Sequence, residues 1–529
     1  MSVASIESFE APWSDGRRPI HALVIDALAE RGAAKRELRI EIRRHDPDEV
    51  SWAPGALDSL FGQPDESSRQ TTARSLVAAI NNVLRRPSNS SAAHLYKLLS
   101  ESDTIATVDT LLPRLIDEIG DRRAALAALS RRLILESPVV EPVKAGVALL
   151  GVSGTADDAA LVSTIGRYEE ITLYSVVALR HLLADPDAAI WDLAKEVHGW
   201  GRIQAVERLA GTTNADIREW LLRDGFRNSI MYEYLACTCA RSGGLREFLA
   251  RDEIDPDGLI ATGEIIEALV QGGPAESIED YADGAAVCIA HLRHILRHLE
   301  TNQARDVRPI SAALAIKTLG EGDRAEQLRG RPGWTAQSFL DIRTLINAIL
   351  QSPEAKAVVE RSLECDGYTF NVAAHIAPSF GIDAWPLRLA RQRSGEADQW
   401  FWLMRTEDPD RIEQVLGLAR AQLDLALIGS GPTGSLGLGP DFRDDSALDF
   451  ILQDLRRFPG KGWDLLKVGL RGRAVRARNM AINALRDWGQ DAWPADAKDE
   501  LRLAAARETE EDVRERFEKL IAGRLLEDD

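Results

Sequence analysis

Gly146-Val-Ala-Leu-Leu-Gly151 is echoed along the chain by Val176-Val-Ala-Leu179, Ala205-Val-Glu-Arg-Leu-Ala210, Tyr234-Leu-Ala-Cys237 and Ile265-Ile-Glu-Ala-Leu269. The step between echoes is roughly 30 residues, which is too short for a domain and falls in the range of repeat arrays. A unit of that length holds two helices of about eleven residues and two turns. Such a hairpin cannot bury its apolar face until a neighbour stacks on it. The phrase therefore predicts an all-α chain, an α-solenoid of stacked antiparallel helix pairs. In such an array function resides in surface residues that the repeat pattern does not dictate.

Around the phrase, apolar residues recur at helical spacing from about Leu115 to Gly272. They predict helices over 124–135, 142–150, 156–165, 173–183, 188–197, 202–209 and 215–222. Asp185-Pro-Asp187 and Thr213-Asn-Ala-Asp216 supply a proline or a side-chain acceptor where a helix must start. Farther on, the period weakens but helix-length patterns persist over 285–299, 310–319, 335–350 and 353–363. Gly320 to Gly333 reads as an exposed connector and Gly429 to Pro440 as a longer loop. Near the N-terminus, Glu37 to Arg43 alternates Leu38, Ile40 and Ile42 with charges. That is a strand period, but a lone strand would leave its backbone unpaired, so helix is the preferred expectation.

The pair Arg202-Ile-Gln-Ala-Val-Glu-Arg-Leu-Ala210 and Asn214-Ala-Asp-Ile-Arg-Glu-Trp-Leu-Leu222 resembles HEAT or HEAT-like (phycobilisome-lyase-type) repeats. Ala474-Val-Arg-Ala-Arg-Asn-Met-Ala-Ile-Asn-Ala-Leu485 resembles the inner helix of such a repeat, and Glu511-Asp-Val-Arg514 opens a helix as Asp216-Ile-Arg218 does. On this resemblance residues 1–114 form an N-terminal helical region, 115–275 regular HEAT-like repeats, 276–428 divergent helical repeats, 429–443 a Gly-rich loop and 444–529 C-terminal HEAT-like helices. The family contains scaffolds, transport receptors, some lyases and some DNA glycosylases, so the resemblance implies a fold and no single activity.

The chain has 529 residues, 45% hydrophobic and 28% charged, which is enough apolar surface for a continuous core. Its net charge of −19 repels phosphate backbones and anionic membranes at long range. Four scattered cysteines argue for a reducing compartment rather than a disulfide framework. The first residues lack a basic start followed by an apolar stretch, and no apolar run reaches the roughly 20 residues of a membrane span. Together these features predict a cytoplasmic protein with no membrane association.

Five groups of residues could carry chemistry. His291, His294 and His298 flank one apolar stripe, and His294 and His298 have the spacing of two ligands on one turn. They lack an acidic ligand on that face, so no metal is expected. The Gly429–Gly439 stretch lacks the Lys-Ser or Lys-Thr ending of a phosphate loop, and Cys237-Thr-Cys239 has the wrong spacing for a redox or zinc pair. Acidic pairs such as Asp255/Asp257, Glu279/Asp280 and Asp444/Asp445 belong to solvated turns. In the basic segment Lys467 to Arg478, Arg471, Arg473, Arg476 and Arg478 spread around a helix axis instead of forming a stripe, which argues against nucleic acid. No catalytic residue and no cofactor is assigned.

Twelve tryptophans remain, with Trp400-Phe-Trp402 and Trp385 concentrated together. Large aromatics are favoured anchors at interfaces, and side chains two apart on a helix cannot point the same way. Trp385, Trp400 and Trp402 are therefore the candidate partner-binding residues. The expected function is a non-enzymatic scaffold that binds a protein or peptide partner on a concave face. The alternative is a HEAT-like enzyme, a small-ligand lyase or a nucleic-acid repair glycosylase, with its site in the groove.

Overall fold

The computed structural model describes residues 16–31, 53–60, 66–396 and 398–524, together with Ile6, Phe9, Glu10 and Trp13. Every regular element among them is helical, and no strand occurs among the described residues. The segment from Glu37 to Arg43 lies outside the described residues. None of the described helices is long and apolar enough to cross a membrane. The chain divides into two compact units, Met1–Val358 and Val359–Asp529.

In the first unit the five echoes of the opening phrase fall on five successive helices of one row: Val140–Ser153, Glu169–Leu182, Gly199–Glu207, Glu233–Gly243 and Pro256–Gln271. Each packs on the next in that order, and the row continues through Arg308–Thr318 to Ala336–Gln351. Between them run the helices Ala159–Ile165, Asp187–Ala194, Ala215–Trp220 and Leu245–Leu249, the first three packing on the row helix that follows. Most apolar members of the phrase, among them Val147, Leu150, Val176, Leu179, Val206, Leu235, Ile265 and Leu269, are buried, while Val177 faces outward.

Small residues in the phrase and just before it set how closely the row packs. A Cβ on Gly151 would stand 2.9 Å from the Cα of Ala178, in the next echo, and one on Gly201 would stand 2.7 Å from Thr172 Oγ1. Real Cβ atoms do not tolerate such distances, so glycine permits the helices to approach backbone to backbone. The phrase recurs because each layer must offer its neighbour an apolar face with a shallow place in it.

Polar contacts fasten the layers at their edges. Arg131 forks onto Asp158 at 2.6 and 2.9 Å, Arg202 reaches Asp224 at 2.9 Å, and Arg223 grips Asp255 at 2.6 Å. Glu264 bridges Arg227 and Arg308 at 2.8 and 2.9 Å. Lys144 is fully enclosed by Asp58, Glu141 and Glu170 at 2.8–3.1 Å, tying the short helix Ala56–Leu60 to two row helices. Burial alone would push the Lys144 ammonium down, but the surrounding carboxylates outweigh it and hold the charge on. At the start of the unit, Arg132 donates to the carbonyls of Ile6 and Phe9 and lies over the Phe9 ring, fixing the first described residues to the core.

The sequence expectation of helices over 285–299, 310–319 and 335–350 matches Gly284–Glu300, Arg308–Thr318 and Ala336–Gln351. The expected helix over 215–222 is shorter, Ala215–Trp220, and passes into a π turn, Leu221–Gly225, that carries Asp224 to Arg202. Gly320 to Gly333 is not wholly an exposed connector. It contains the helix Gly322–Leu328, whose Ala325 and Leu328 are buried. Its Gly-Arg-Glu composition hid two apolar residues three apart, the minimum that anchors one short helix.

The second unit builds its core from the helices Trp385–Ser394, Pro409–Gln422, Arg443–Leu455, Trp463–Leu470, Val475–Trp488, Ala497–Arg507 and Glu511–Ile521. The Gly-rich stretch before Pro440 is a loop that lies along the chain at 471–475. Gly431 and Thr433 donate their amides to the carbonyls of Arg471 and Arg473, and Val475 donates to Ser435. Several amides of this largely exposed loop are thus taken up by backbone partners.

Candidate binding site

Of the three tryptophans singled out by sequence, two are built into the core of the second unit. Trp385 is buried and donates its indole N–H to the carbonyl of Leu403 at 2.9 Å. Trp400, 3% exposed, begins the one-turn helix Trp400–Leu403 and packs among the apolar residues of that core. Trp402 is half-buried, as is its neighbour Phe401. The divergence of residues two apart thus separates a core anchor from a partly open ring.

What surrounds Trp402 could not be anticipated. Arg388, on the helix Trp385–Ser394, is only 4% exposed, and among the described residues no carboxylate pairs with it. Its guanidinium donates to Gln399 Oε1 at 2.6 Å, and its charge lies 4.9 Å from the Trp402 ring centre and 5.7 Å from that of Phe370. Gln399 is held in turn by its amide N–H to Gln392 Oε1 and by its side-chain amide to Asn371. Burial pushes the guanidinium down to about 10, so it stays charged near neutral pH. His375 lies 5.3 Å from Trp402, and burial together with the Arg388 charge lowers it. The result is a cation held by amides and ring faces beneath a partly open aromatic, an arrangement suited to a partner that brings an acceptor or a negative charge.

A second aromatic series stands in the first unit. Trp191, Trp220 and Phe248 occur once on each of the helices Asp187–Ala194, Ala215–Trp220 and Leu245–Leu249, and each ring carries a cation. Lys195 lies 3.9 Å from the Trp191 ring centre, Arg202 5.3 Å from Trp220, and Arg251 4.3 Å from Phe248. Trp191 and Trp220 meet edge to face at 6.2 Å. Their spacing follows the period of the phrase, but the apolar echo alone does not point to them.

The remaining sequence candidates have structural occupations. His294 and His298 each donate from Nε2 to a backbone carbonyl, of Leu249 and Ile254, both at 3.0 Å, and His291 faces the Thr262 hydroxyl at 3.3 Å. Burial, with the two neighbouring histidines, pushes His291 down to about 3 and keeps it neutral. The helix Gly284–Glu300 therefore uses its histidines as hooks on the preceding turn. Among the described residues no group of three metal-ligating side chains converges. Cys237 and Cys239 are buried. Asp255 caps a helix at Gly258 while Arg223 holds its carboxyl below the usual range, Glu279 pairs with Arg324, and Asp444 accepts from the Asp424 amide. In the basic segment Lys467, Arg473, Arg476 and Arg478 face Asp496, Asp445, Asp449 and Glu508.

No family model, curated protein or solved structure matches this chain. Its functional reading therefore rests on the residues themselves.

Proposed function

We propose that the chain is an α-solenoid of HEAT-like helix pairs that serves as a binding scaffold for a protein or peptide partner and has no chemistry of its own. The observation that carries this reading is the sequential row of the first unit, in which five echoes of one phrase occupy five consecutive, mutually packed helices. A stack of that kind adds surface with every layer, and an extended face suits a chain-like partner better than a small substrate. Partly open aromatics next to cations, at Trp402 with Arg388 and at Trp191 with Lys195, are the kind of anchors from which such interfaces draw their affinity. The uptake of the 467–478 cations by carboxylates supports a protein partner over a nucleic acid. Four free cysteines, three of them buried, support a cytoplasmic setting.

The test is to capture the partner from the source cell, purify it and measure its binding to single variants. Trp402→Ala should weaken binding and leave the melting temperature nearly unchanged. Trp400→Ala should instead destabilise the second unit by about 3–5 kcal/mol, the usual loss for a buried large aromatic. Unchanged partner affinity in Trp402→Ala, together with unchanged hydrogen exchange over the helices that carry Trp191 and Trp220 when the partner is bound, would refute the reading.

A further inference from the structure

The helix Gly284–Glu300 carries no acidic residue before its last position, although acids outnumber bases in the chain by 83 to 64. One of its faces runs Ala286, Ala290, Arg293, Arg297, at the spacing that aligns side chains in one stripe. That stripe forms one wall of a groove of about 350 Å³. The opposite wall is the end of the helix Leu245–Leu249 and the turn after it, which contribute Arg246 and Arg251.

Four cations of the 467–478 segment are paired with carboxylates, but three of the four in this groove are not. Among the described residues Arg251, Arg293 and Arg297 form no ion pair, while Arg246 is paired with Asp283. Asp252 is the one carboxylate in the lining. The lining sets four guanidinium charges against the one carboxylate of Asp252, while Asp283 and Glu247 act on Arg246 from outside it. Arg293 and Arg297, four apart on one helix, also repel each other, a cost that an anion between them would relieve.

The walls are held at a fixed spacing. His294, 5% exposed, lies on the groove side of its helix and donates from Nε2 to the carbonyl of Leu249 in the opposite wall, so the two walls are joined by a buried hydrogen bond. Its Nδ1 is buried and has no hydrogen-bond partner among the described residues. Arg251 is steadied over the Phe248 ring, and the alanine side chains between the cations leave the space open. Such preordering lowers the entropy lost when guanidinium forks close on a ligand.

We propose that this groove is a binding site for a phosphate monoester dianion, gripped by Arg293 and Arg297 from one wall and Arg251 from the other. A phosphate monoester carries between one and a half and two charges near neutral pH and three acceptor oxygens, so it can be met by cations from both walls at once, whereas a carboxylate brings one charge. The site lies in the first unit and does not involve Trp402.

The test is a titration of the full chain, observed by ligand NMR, with phenyl phosphate as probe and phenyl sulfate as the monoanionic control. Phenyl phosphate should bind saturably at one site, and phenyl sulfate several-fold more weakly. The double change Arg293→Gln with Arg297→Gln should lower phenyl phosphate affinity by about tenfold or more, since two charge-assisted hydrogen bonds are removed. It should leave the melting temperature unchanged or raised, because the like-charge pair is gone. Equal binding of phosphate and sulfate esters, or a double variant that binds as the native chain does, overturns the proposal. Competition then separates the sources. A phosphoserine peptide that displaces the probe better than inorganic phosphate identifies a phosphorylated protein segment, and equal displacement identifies a free phosphate; either result upholds the dianion site.

Discussion

Arg478 and Arg388 are both buried arginines of the second unit, and their surroundings differ in kind. Arg478, 1% exposed, stands 2.7 Å from Glu508 Oε2 and donates to Glu508 Oε1, and it also serves the carbonyls of Gly472 and Thr433. Glu508 is completed by the amides of Thr509 and Glu510. Arg388 has only amide oxygens and ring faces. One charge is spent inside the fold, where it joins the loop at Thr433 to two helices. The other is desolvated but not neutralised, and it lies beside the partly open Trp402 ring. The difference teaches where to look for binding: at charges that the fold has enclosed without cancelling.

The comparison can be broken from its strong side first. Glu508→Ala should destabilise the second unit by about 3–5 kcal/mol, because Arg478 would be left buried and unpaired. A loss below about 1 kcal/mol in a denaturant melt would mean that the pair is dispensable and the contrast empty.

An intermediate case is Asp449, 2% exposed, which has only a distant ion pair to Arg476 at 3.6 Å and an Oδ1 without a hydrogen-bond partner among the described residues. Burial, only partly offset by the Arg476 charge, pushes its carboxyl up to about 6. A carboxyl raised in the folded state binds more protons there than when unfolded. Its contribution therefore stabilises at low pH and is lost as pH rises from the unfolded value of about 4 through 6. Asp449→Asn is expected to stabilise the unit by about 1–3 kcal/mol at pH 7–8 and by almost nothing at pH 4, as read from melts across that range. A gain independent of pH would place its cause elsewhere.

The smallest stability effect belongs to Arg388. Arg388→Met exchanges an unneutralised buried cation for an apolar chain of similar reach, so the melting temperature should shift by no more than about 1 kcal/mol equivalent, in either direction. Partner affinity should fall, since the charge beneath Trp402 is removed. A loss as large as that of Glu508→Ala would show that Arg388 is a structural residue like Arg478.

The helical class and the helix positions between Arg123 and Gln271 could be read from the sequence because apolar periodicity and glycine placement are local signals, carried by residues such as Val147, Leu150 and Gly151 themselves. The short helix Gly322–Leu328 could not, since two buried residues make too little pattern. The division of labour between Trp400 and Trp402 follows from helix geometry, but the direction of each ring depends on how the helices Trp385–Ser394 and Arg443–Leu455 pack on their turn. Arg388 and the Arg293/Arg297 wall leave a faint trace in the sequence. Both lie in acid-free runs, 384–395 and 284–299, of a chain with a large acidic surplus. Which cations find carboxylates is set by the fold, so the runs alone could not distinguish Arg388 from the paired Arg478.

The most direct test of the central claim, that the phrase builds a one-dimensional stack, is residue-resolved hydrogen exchange on Gly151→Val. The added side chain would press on the Ala178 backbone, where a Cβ already comes within 2.9 Å. In a stack, whose layers lean only on their neighbours, protection should fall in Val140–Ser153, Glu169–Leu182 and the helices beside them, while Pro256–Gln271 and Arg308–Thr318 keep native protection. A uniform loss of protection through all the row helices from Val140–Ser153 to Ala336–Gln351 would contradict the stack and point to a single globular core.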